Sequence, residues 1–286
     1  MAGKLFLCAT PIGNMEDITY RVLRTLKEAD LIAAEDTRHS IKLLNHFSIK
    51  TPMTSYHEFN KVEKARYLVE QMQGGINVAL VTDAGTPGIS DPGEELVKQC
   101  YEAGIEVTSL PGPAACITAL TMSGLETRRF CFEAFLPADK KERSLILEEL
   151  KTETRTIIIY EAPHRLVRTL AELCGTLGES RRITVCRELT KRYEEALRLT
   201  LSEAEDYFRE NEPKGEFVLV LEGISHGELI REAREDWLSV PIEEHMQKYV
   251  SEGMDSKEAM KQVAKDRGVS KRDIYQYMLS IAPDTE

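Results

Sequence analysis

Residues 78–93 read VALVTDAGTPGISDPG: an apolar run, Val78-Ala79-Leu80-Val81, delivers Asp83 into a loop that contains Gly85, Pro87, Gly88, Pro92 and Gly93. A short unbroken apolar run bounded by turn residues is the pattern of a parallel strand buried on both faces. The glycines beyond it let the backbone take φ > 0 and approach a ligand closely. In open α/β sheets ligands lie outside the carboxyl ends of the strands, so a pocket is expected here. Leu5–Ala9 repeat the construction and stop at Thr10-Pro11-Ile12-Gly13-Asn14. Either loop alone also reads as a sharp turn, but two of them in one βα pattern favour a binding edge. Neither G-x-G-x-x-G nor G-x-x-x-x-G-K-[ST] occurs, which removes the main support for dinucleotide or nucleoside-triphosphate binding.

Working outward, the apolar spacing predicts a helix over 16–29, a strand over 31–34 ending at Glu35-Asp36, a helix over 58–73 stopped by Gly74-Gly75, a helix near 94–103 and a strand near 105–109. This alternation is βαβ organisation with a parallel sheet, and Pro111-Gly112-Pro113 marks the end of a first domain, 1–112. A second α/β domain, 113–225, opens with a helix over 114–122. Its strands are expected at 130–134, 156–160, 183–187, 194–200 and 217–221, and the closeness of the 183–200 pair predicts a mixed sheet. The tail, 235–286, reads as helical. Within it Gly268-Val269-Ser270 separates two helical runs at helix-turn-helix spacing, with Ser270 as the expected N-cap.

Charge constrains partners. With 48 acidic and 37 basic residues the net charge is −11, which excludes a uniformly basic surface and requires any nucleic-acid contact to be made by local patches. Candidates are Arg128-Arg129, the Lys140, Lys141, Arg143 group, Arg181-Arg182, Lys191-Arg192, and in the tail Lys257, Lys261, Lys265, Arg267, Lys271 and Arg272 against Glu258 and Asp266. Each cluster alone is more often a solvated helix face or turn, and the tail also reads as a compact packing unit. The six cysteines form no C-x-x-C pair, so neither a zinc site nor a disulfide framework is suggested and no metal is expected. No stretch approaches the roughly 18 apolar residues of a membrane span, and a soluble cytoplasmic protein is expected.

The blocks ATPIGN (9–14), AAEDTRHS (33–40), SYHE (55–58), VTDAGTPGISDPG (81–93), LPGPAA (110–115), YEAPHR (160–165), RELTK (187–191) and KGE (214–216) together resemble one family over about residues 4–222. It is the ribosomal small-subunit RNA (16S rRNA) cytidine 2'-O-methyltransferase family of the tetrapyrrole methylase superfamily. The resemblance implies two α/β domains, S-adenosylmethionine as methyl donor, and a ribose hydroxyl in the decoding region of small-subunit RNA, naked or in an assembled 30S-type subunit, as acceptor. It also implies a homodimer. Carried over by position, the donor pocket comprises Pro11, Gly13, Asp83, Gly85, Thr86, Pro87, Ile89, Ala114, Ala115, Ala162, Leu189 and Gly215. Where porphyrin-directed relatives have G-x-G-D-P this chain has D-A-G-T-P, which weakens a tetrapyrrole substrate. The alternatives are a tetrapyrrole methyltransferase and a non-catalytic ribosome-binding protein.

Methyl transfer needs an in-line approach of nucleophile and sulfonium, so positioning should dominate, aided by a base or cation for a weakly nucleophilic hydroxyl. Asp36 is the candidate base or hydroxyl positioner, and reads equally as a helix N-cap. Arg38 is a candidate to hold phosphate or alkoxide, or else forms a surface salt bridge. His57 is a candidate for proton transfer or bonds structurally. Lys214, with Arg187, Glu188 and Lys191, is expected on the opposite wall or in a solvated ion-pair network. Asp83 itself either faces the ligand or anchors its loop.

Overall fold

The computed structural model describes residues 1–281, the side chains at 232, 233, 235 and 236 excepted. Residues 282–286, the end of the expected tail, lie outside the described residues. Two compact units result, one of residues 1–150 with 155–222 and one of residues 151–154 with 223–286.

The first unit begins with a parallel sheet of β1 (Lys4–Cys8), β2 (Leu31–Ala34), β3 (Met53–Ser55), β4 (Val78–Val81) and β5 (Glu106–Leu110) in the order β3-β2-β4-β1-β5. Helices α1 (Tyr20–Glu28), α2 (Thr37–His46), α3 (Lys61–Gln73) and α4 (Gly93–Glu102) connect the strands. The unbroken apolar run of β4 follows from double-sided burial. Val78 and Leu80 pack with Leu68, Met72 and Leu96 of α3 and α4, while Ala79 and Val81 pack with Val22, Leu26 and Leu44 of α1 and α2. The expected helix over 16–29 starts later, because Thr19 accepts a hydrogen bond from the Val22 amide and caps α1, leaving a single 3-10 turn at Met15–Asp17. Strand β3 has no counterpart among the expected strands, since three residues cannot display a periodicity. Tyr56, just beyond it, is 1% exposed and donates its hydroxyl to the Pro92 carbonyl at 2.8 Å.

A second sheet follows, built of β6 (Phe130–Phe135), β7 (Thr156–Glu161), β8 (Arg182–Arg187), β9 (Glu195–Thr200) and β10 (Phe217–Leu221) in the order β6-β7-β10-β8-β9. Only β6 and β7 run parallel, and the 182–200 pair is antiparallel, so the sheet is mixed as its spacing predicts. Its helices are α5 (Ala115–Ser123), α6 (Lys140–Lys151), α7 (Pro163–Leu177) and α8 (Leu201–Glu210). Leu147, Leu170, Leu173, Phe208 and Leu219 fill one face, and Cys116, Leu120, Ile158, Val218 and Val220 the other. Truncating a fully buried residue such as Leu219 to alanine costs about 2–5 kcal/mol.

The second unit is helical from His226, earlier than the expected 235, with α9 (His226–Ser239), α10 (Ile242–Ser251), α11 (Ser256–Arg267) and α12 (Lys271–Ile281). Gly268 takes φ +66° at the end of α11. Ser270 accepts from the Asp273 amide at 3.2 Å while Asp273 accepts from the Ser270 amide at 2.9 Å, so Ser270 opens α12 as expected. Arg267 departs from its expected surface role: it is buried and donates to His245 Nδ1 and the Val240 carbonyl. His245, fully buried, stacks on Trp237 with ring centroids 3.7 Å apart. The exposed cations of this segment are therefore Lys257, Lys261, Lys265, Lys271 and Arg272. Among the described residues no helix is long and apolar enough to cross a membrane.

Candidate functional site

The two glycine-bearing corners meet. Thr10 and Gly85 exchange backbone hydrogen bonds of 2.9 and 3.0 Å, which ties the loop after β1 to the loop after β4. Thr86 Oγ1 donates to the Pro113 carbonyl at 2.9 Å and brings in the segment after β5. Gly85 holds φ +85°, and a Cβ there would stand 3.3 Å from Ile12 Cγ2 and 3.5 Å from the Pro113 oxygen. These loops border a cavity of about 490 Å³, within the roughly 300–1,000 Å³ of small-molecule sites. Ile12, Glu35, Thr82–Thr86 and Ile89–Asp91 line it from the first sheet, and Ala114–Cys116 from the connection. Phe135, Tyr160–Pro163, Leu189 and Glu216–Val218 line it from the second sheet.

Strand polarity explains why distant second-sheet residues converge. Because β10 is antiparallel to both β7 and β8, its first residue, Phe217, lies opposite Glu161 and Arg187 at their ends. A register shift between Phe132 and Ala134, with Ala134 at φ +51°, precedes Phe135, which meets the Tyr160 ring edge-on at 5.7 Å. The Tyr160 hydroxyl accepts from the Cys116 amide at 3.1 Å, and burial pushes its pKa up, so the phenol stays protonated at neutral pH. Glu161 is buried and accepts from the Ala162 amide at 2.8 Å and from Thr169 Oγ1 at 2.5 Å.

Leu189 reaches the cavity from a contorted loop in which Glu188 and Thr190 both take positive φ, +50° and +65°. The loop is held by Glu188 Oε1, which accepts from the Glu216 amide at 3.0 Å and from Lys191 Nζ at 2.9 Å, and by Thr190 Oγ1, which accepts from the Asn14 amide at 3.1 Å. A Cβ at Gly13 would lie 2.4 Å from Lys191 Cγ, and one at Gly215 would lie 2.5 Å from Glu188 Cγ. These two glycines give room to the loop that carries Leu189.

The first-sheet wall is electronegative. Glu35 Oε2 accepts from Thr82 Oγ1 at 2.6 Å, and Asp83 Oδ1 accepts from the Asp36 amide at 3.1 Å. Partial burial, then the neighbouring Glu35 charge, raise the Asp83 pKa. Neither carboxyl has an ion-pair partner among the described residues. Asp91 closes the loop by accepting from the amides of Gly88, Ile89 and Gly93. Two unneutralised carboxylates on the wall of a partly apolar cavity favour a cationic ligand, and the sulfonium donor implied by the sequence fits that chemistry.

Of the donor residues carried over by resemblance, Asp83, Gly85, Thr86, Ile89, Ala114, Ala115, Ala162 and Leu189 line the cavity, whereas Pro11, Gly13, Pro87 and Gly215 do not. None of Asp36, Arg38, His57 and Lys214 lines it. Asp36 is the N-cap of α2, accepting from the Arg38 amide at 2.8 Å and pairing with the Arg38 guanidinium at 2.7 Å. That pairing holds its pKa down at about 2. His57 donates its amide to Asn60 Oδ1 at 2.8 Å before α3, and Lys214 pairs with Glu212 at 3.0 Å in solvent. Asp83 lines the cavity, and its carboxyl accepts from the Asp36 amide in the loop after β2 instead of anchoring its own loop. Ile12, Asp91, Cys116 and Phe135 were not assigned from sequence. The S-D-P-G turn signals Asp91, but nothing local signals Phe135, whose placement depends on a bulge. Among the basic clusters, Arg182 pairs with Glu222 and Lys191 with Glu188 and Glu216, as the ion-pair reading expects.

Residues 4–205 match the family model described as tetrapyrrole (corrin/porphyrin) methylases. A protein of Halalkalibacterium halodurans named ribosomal RNA small subunit methyltransferase I is 53% identical, over 96% of this chain and 93% of that protein. A Synechocystis protein of the same name is 48% identical, over 99% of both. Among solved structures, uroporphyrin-III C-methyl transferase from Thermus thermophilus complexed with S-adenyl homocysteine superposes with a TM-score of 0.54 at 19% identity, over 77% of this chain and 97% of that one.

Proposed function

This chain belongs to the ribosomal RNA small subunit methyltransferase I family of the tetrapyrrole methylases, and on that premise we propose that it methylates the 2'-hydroxyl of a cytidine in the decoding region of small-subunit ribosomal RNA, using S-adenosylmethionine. The observation that carries the donor is the unneutralised Glu35–Asp83 pair on the wall of the cavity. When bound, the donor supplies a methyl group on a positively charged sulfur. Glu35 and Asp83 provide the negative field that favours this charge, and Ile12, Ala114, Ala115 and Leu189 provide apolar surface for an adenine ring. Gly85 and its neighbours present backbone where a Cβ would crowd Ile12.

Catalysis then rests chiefly on holding donor and hydroxyl together, an effect that can contribute about 7–11 kcal/mol. For any proton transfer Asp83 is better suited than Asp36, because its pKa is raised and it faces the cavity, whereas Asp36 is bound to Arg38 and held near 2. Arg38, tethered to Asp36 next to the lining residue Glu35, and exposed Lys214 act as phosphate contacts, and His57 orders the turn into α3. Lys257, Lys261 and Lys265, spaced by four on α11, share a helix face for RNA backbone. Pro111-Gly112-Pro113 divides the donor loops of 1–112 from the closing wall of 113–225. The protein works as a cytoplasmic homodimer, which light scattering of the purified chain would check.

The deciding assay incubates the protein and methyl-labelled donor with small ribosomal subunits, naked small-subunit RNA, or a precorrin-type acceptor, followed by nucleoside analysis. Ribose-methylated cytidine is expected. Label in a base, in the tetrapyrrole, or in nothing would overturn the assignment.

A further inference from the structure

We infer that the second-sheet half carries a separate phosphate-class anion site, in the cavity of about 170 Å³ lined by Pro137, Ala138, Arg143, Arg165, Arg168 and Thr169. Three arginines line this space. Arg143 is the informative member. Its side chain is 3% exposed; Nε donates to Glu172 Oε2 at 2.5 Å and Nη2 to Thr169 Oγ1 at 2.8 Å. Its Nη1 is buried and has no hydrogen-bond partner. A charged N–H withdrawn from water and left unpaired is costly, and an anion accepting from it removes the cost.

The surrounding charges leave room for that anion. Arg168 donates to Glu172 Oε1 at 2.8 Å and is 63% exposed, and Arg165 approaches Glu161 Oε1 at 3.4 Å and donates to the Leu136 carbonyl at 2.6 Å. Glu161 thus faces Arg165 and Glu172 faces Arg143 and Arg168, and no carboxylate lines the cavity itself. The adjacent Asp139 is not among the lining residues, and its Oδ1 accepts from the amides of Lys141 and Glu142 at the start of α6. Guanidinium forks suit the oxygens of a phosphate, whether a free ion or a phosphodiester of an RNA strand. Thr169 also connects the two cavities: it accepts from Arg143 and donates to Glu161, which lines the donor cavity.

The test is calorimetric titration of the full chain with inorganic phosphate at low ionic strength, beside the Arg168→Gln variant. Binding at one site per chain is expected, weakened roughly tenfold in the variant by loss of one charge-assisted contact. No phosphate binding by the wild type, or equal binding by a folded Arg168→Gln protein, overturns the site. If that variant unfolds, Arg168→Lys, which keeps the charge and loses the planar fork, takes its place: weaker phosphate binding is expected, and binding equal to the wild type overturns the site. A second arm titrates small-subunit RNA with and without saturating phosphate. Competition identifies backbone phosphodiester as the ligand, and RNA binding unchanged beside intact phosphate binding identifies the free ion; either result upholds the site. Neither arm uses the methyl donor, so failure here is distinguishable from failure of the methyltransferase reading.

Discussion

The two walls of the donor cavity reach similar backbone contortion by opposite means. In the first-sheet wall the residues at positive φ are mostly glycines, Gly85 at +85° and Gly88 at +84°. In the second-sheet wall Ala134, Glu188 and Thr190 carry side chains at positive φ beside Gly215 at +92°, and Gly13 of the loop after β1, together with Gly215, stands against the Glu188–Thr190 segment to give space. One wall is contorted where its glycines are. The other is strained at side-chain-bearing residues and depends on glycines 175 and 27 positions away in sequence, Gly13 from Glu188 and Gly215 from Glu188 respectively. The lesson is that a glycine can mark either its own turn or someone else's.

Substitutions can break or sharpen this contrast. The largest effect is expected for Gly85→Val, where a β-branched residue meets φ +85° and crowds Ile12. Strain of roughly 1–3 kcal/mol should lower the melting temperature by about 2–4 °C per kcal/mol, and calorimetry should find no donor binding. Native affinity would show that this corner is not part of the donor site.

Next are the carboxylates of the first wall. Asp83→Asn should slow methyl transfer by about 100-fold or more, whereas Asp36→Asn, which keeps the cap, should stay within roughly tenfold. The reverse order in a single-turnover assay would return the proton-transfer role to Asp36. Asp36 also has a pH signature. Its folded pKa of about 2 lies below the ordinary 3.8, so its charge stabilises the fold above the higher value, and that contribution is lost as pH falls through the lower one. The melting-temperature gap between wild type and Asp36→Asn should therefore be constant near neutrality and close between about pH 4 and pH 2.

Smaller is Gly215→Ala, which puts a Cβ on a residue at φ +92°, pushes on Glu188 and loosens the Leu189 loop. Donor affinity should fall by roughly tenfold, about 1.4 kcal/mol, with the fold kept. The smallest effect is Ser90→Gly, at an exposed serine with φ +61°. Relief of left-handed strain, net of glycine's greater chain entropy, should raise stability by about 0.5–1 kcal/mol in thermal melts.

What was legible in the sequence follows the same contrast. The β4 run and its loop announced a parallel strand and a ligand edge, because double-sided burial and local glycines are written in consecutive residues. The mixed second sheet was readable from strand spacing. The convergence of Phe135, Tyr160, Leu189 and Phe217 was not, since it depends on strand order, antiparallel register and one bulge. Glu35 and Asp36 follow the same strand end in the sequence, and only the fold separates Glu35, which reaches the cavity, from Asp36, spent on a helix cap. Arg267 looked like a surface cation because charge patterning cannot see that a helix turns that side chain toward His245.

The stacked pair Trp237 and His245 makes the chain self-reporting. The sequence has a single tryptophan, and it lies in the helical unit, so indole emission reads that unit's unfolding without labels, while tyrosine absorbance samples the sheets as well. Any difference between the two melting curves would show whether the helical segment and the sheet-bearing unit lose structure in one transition or in two.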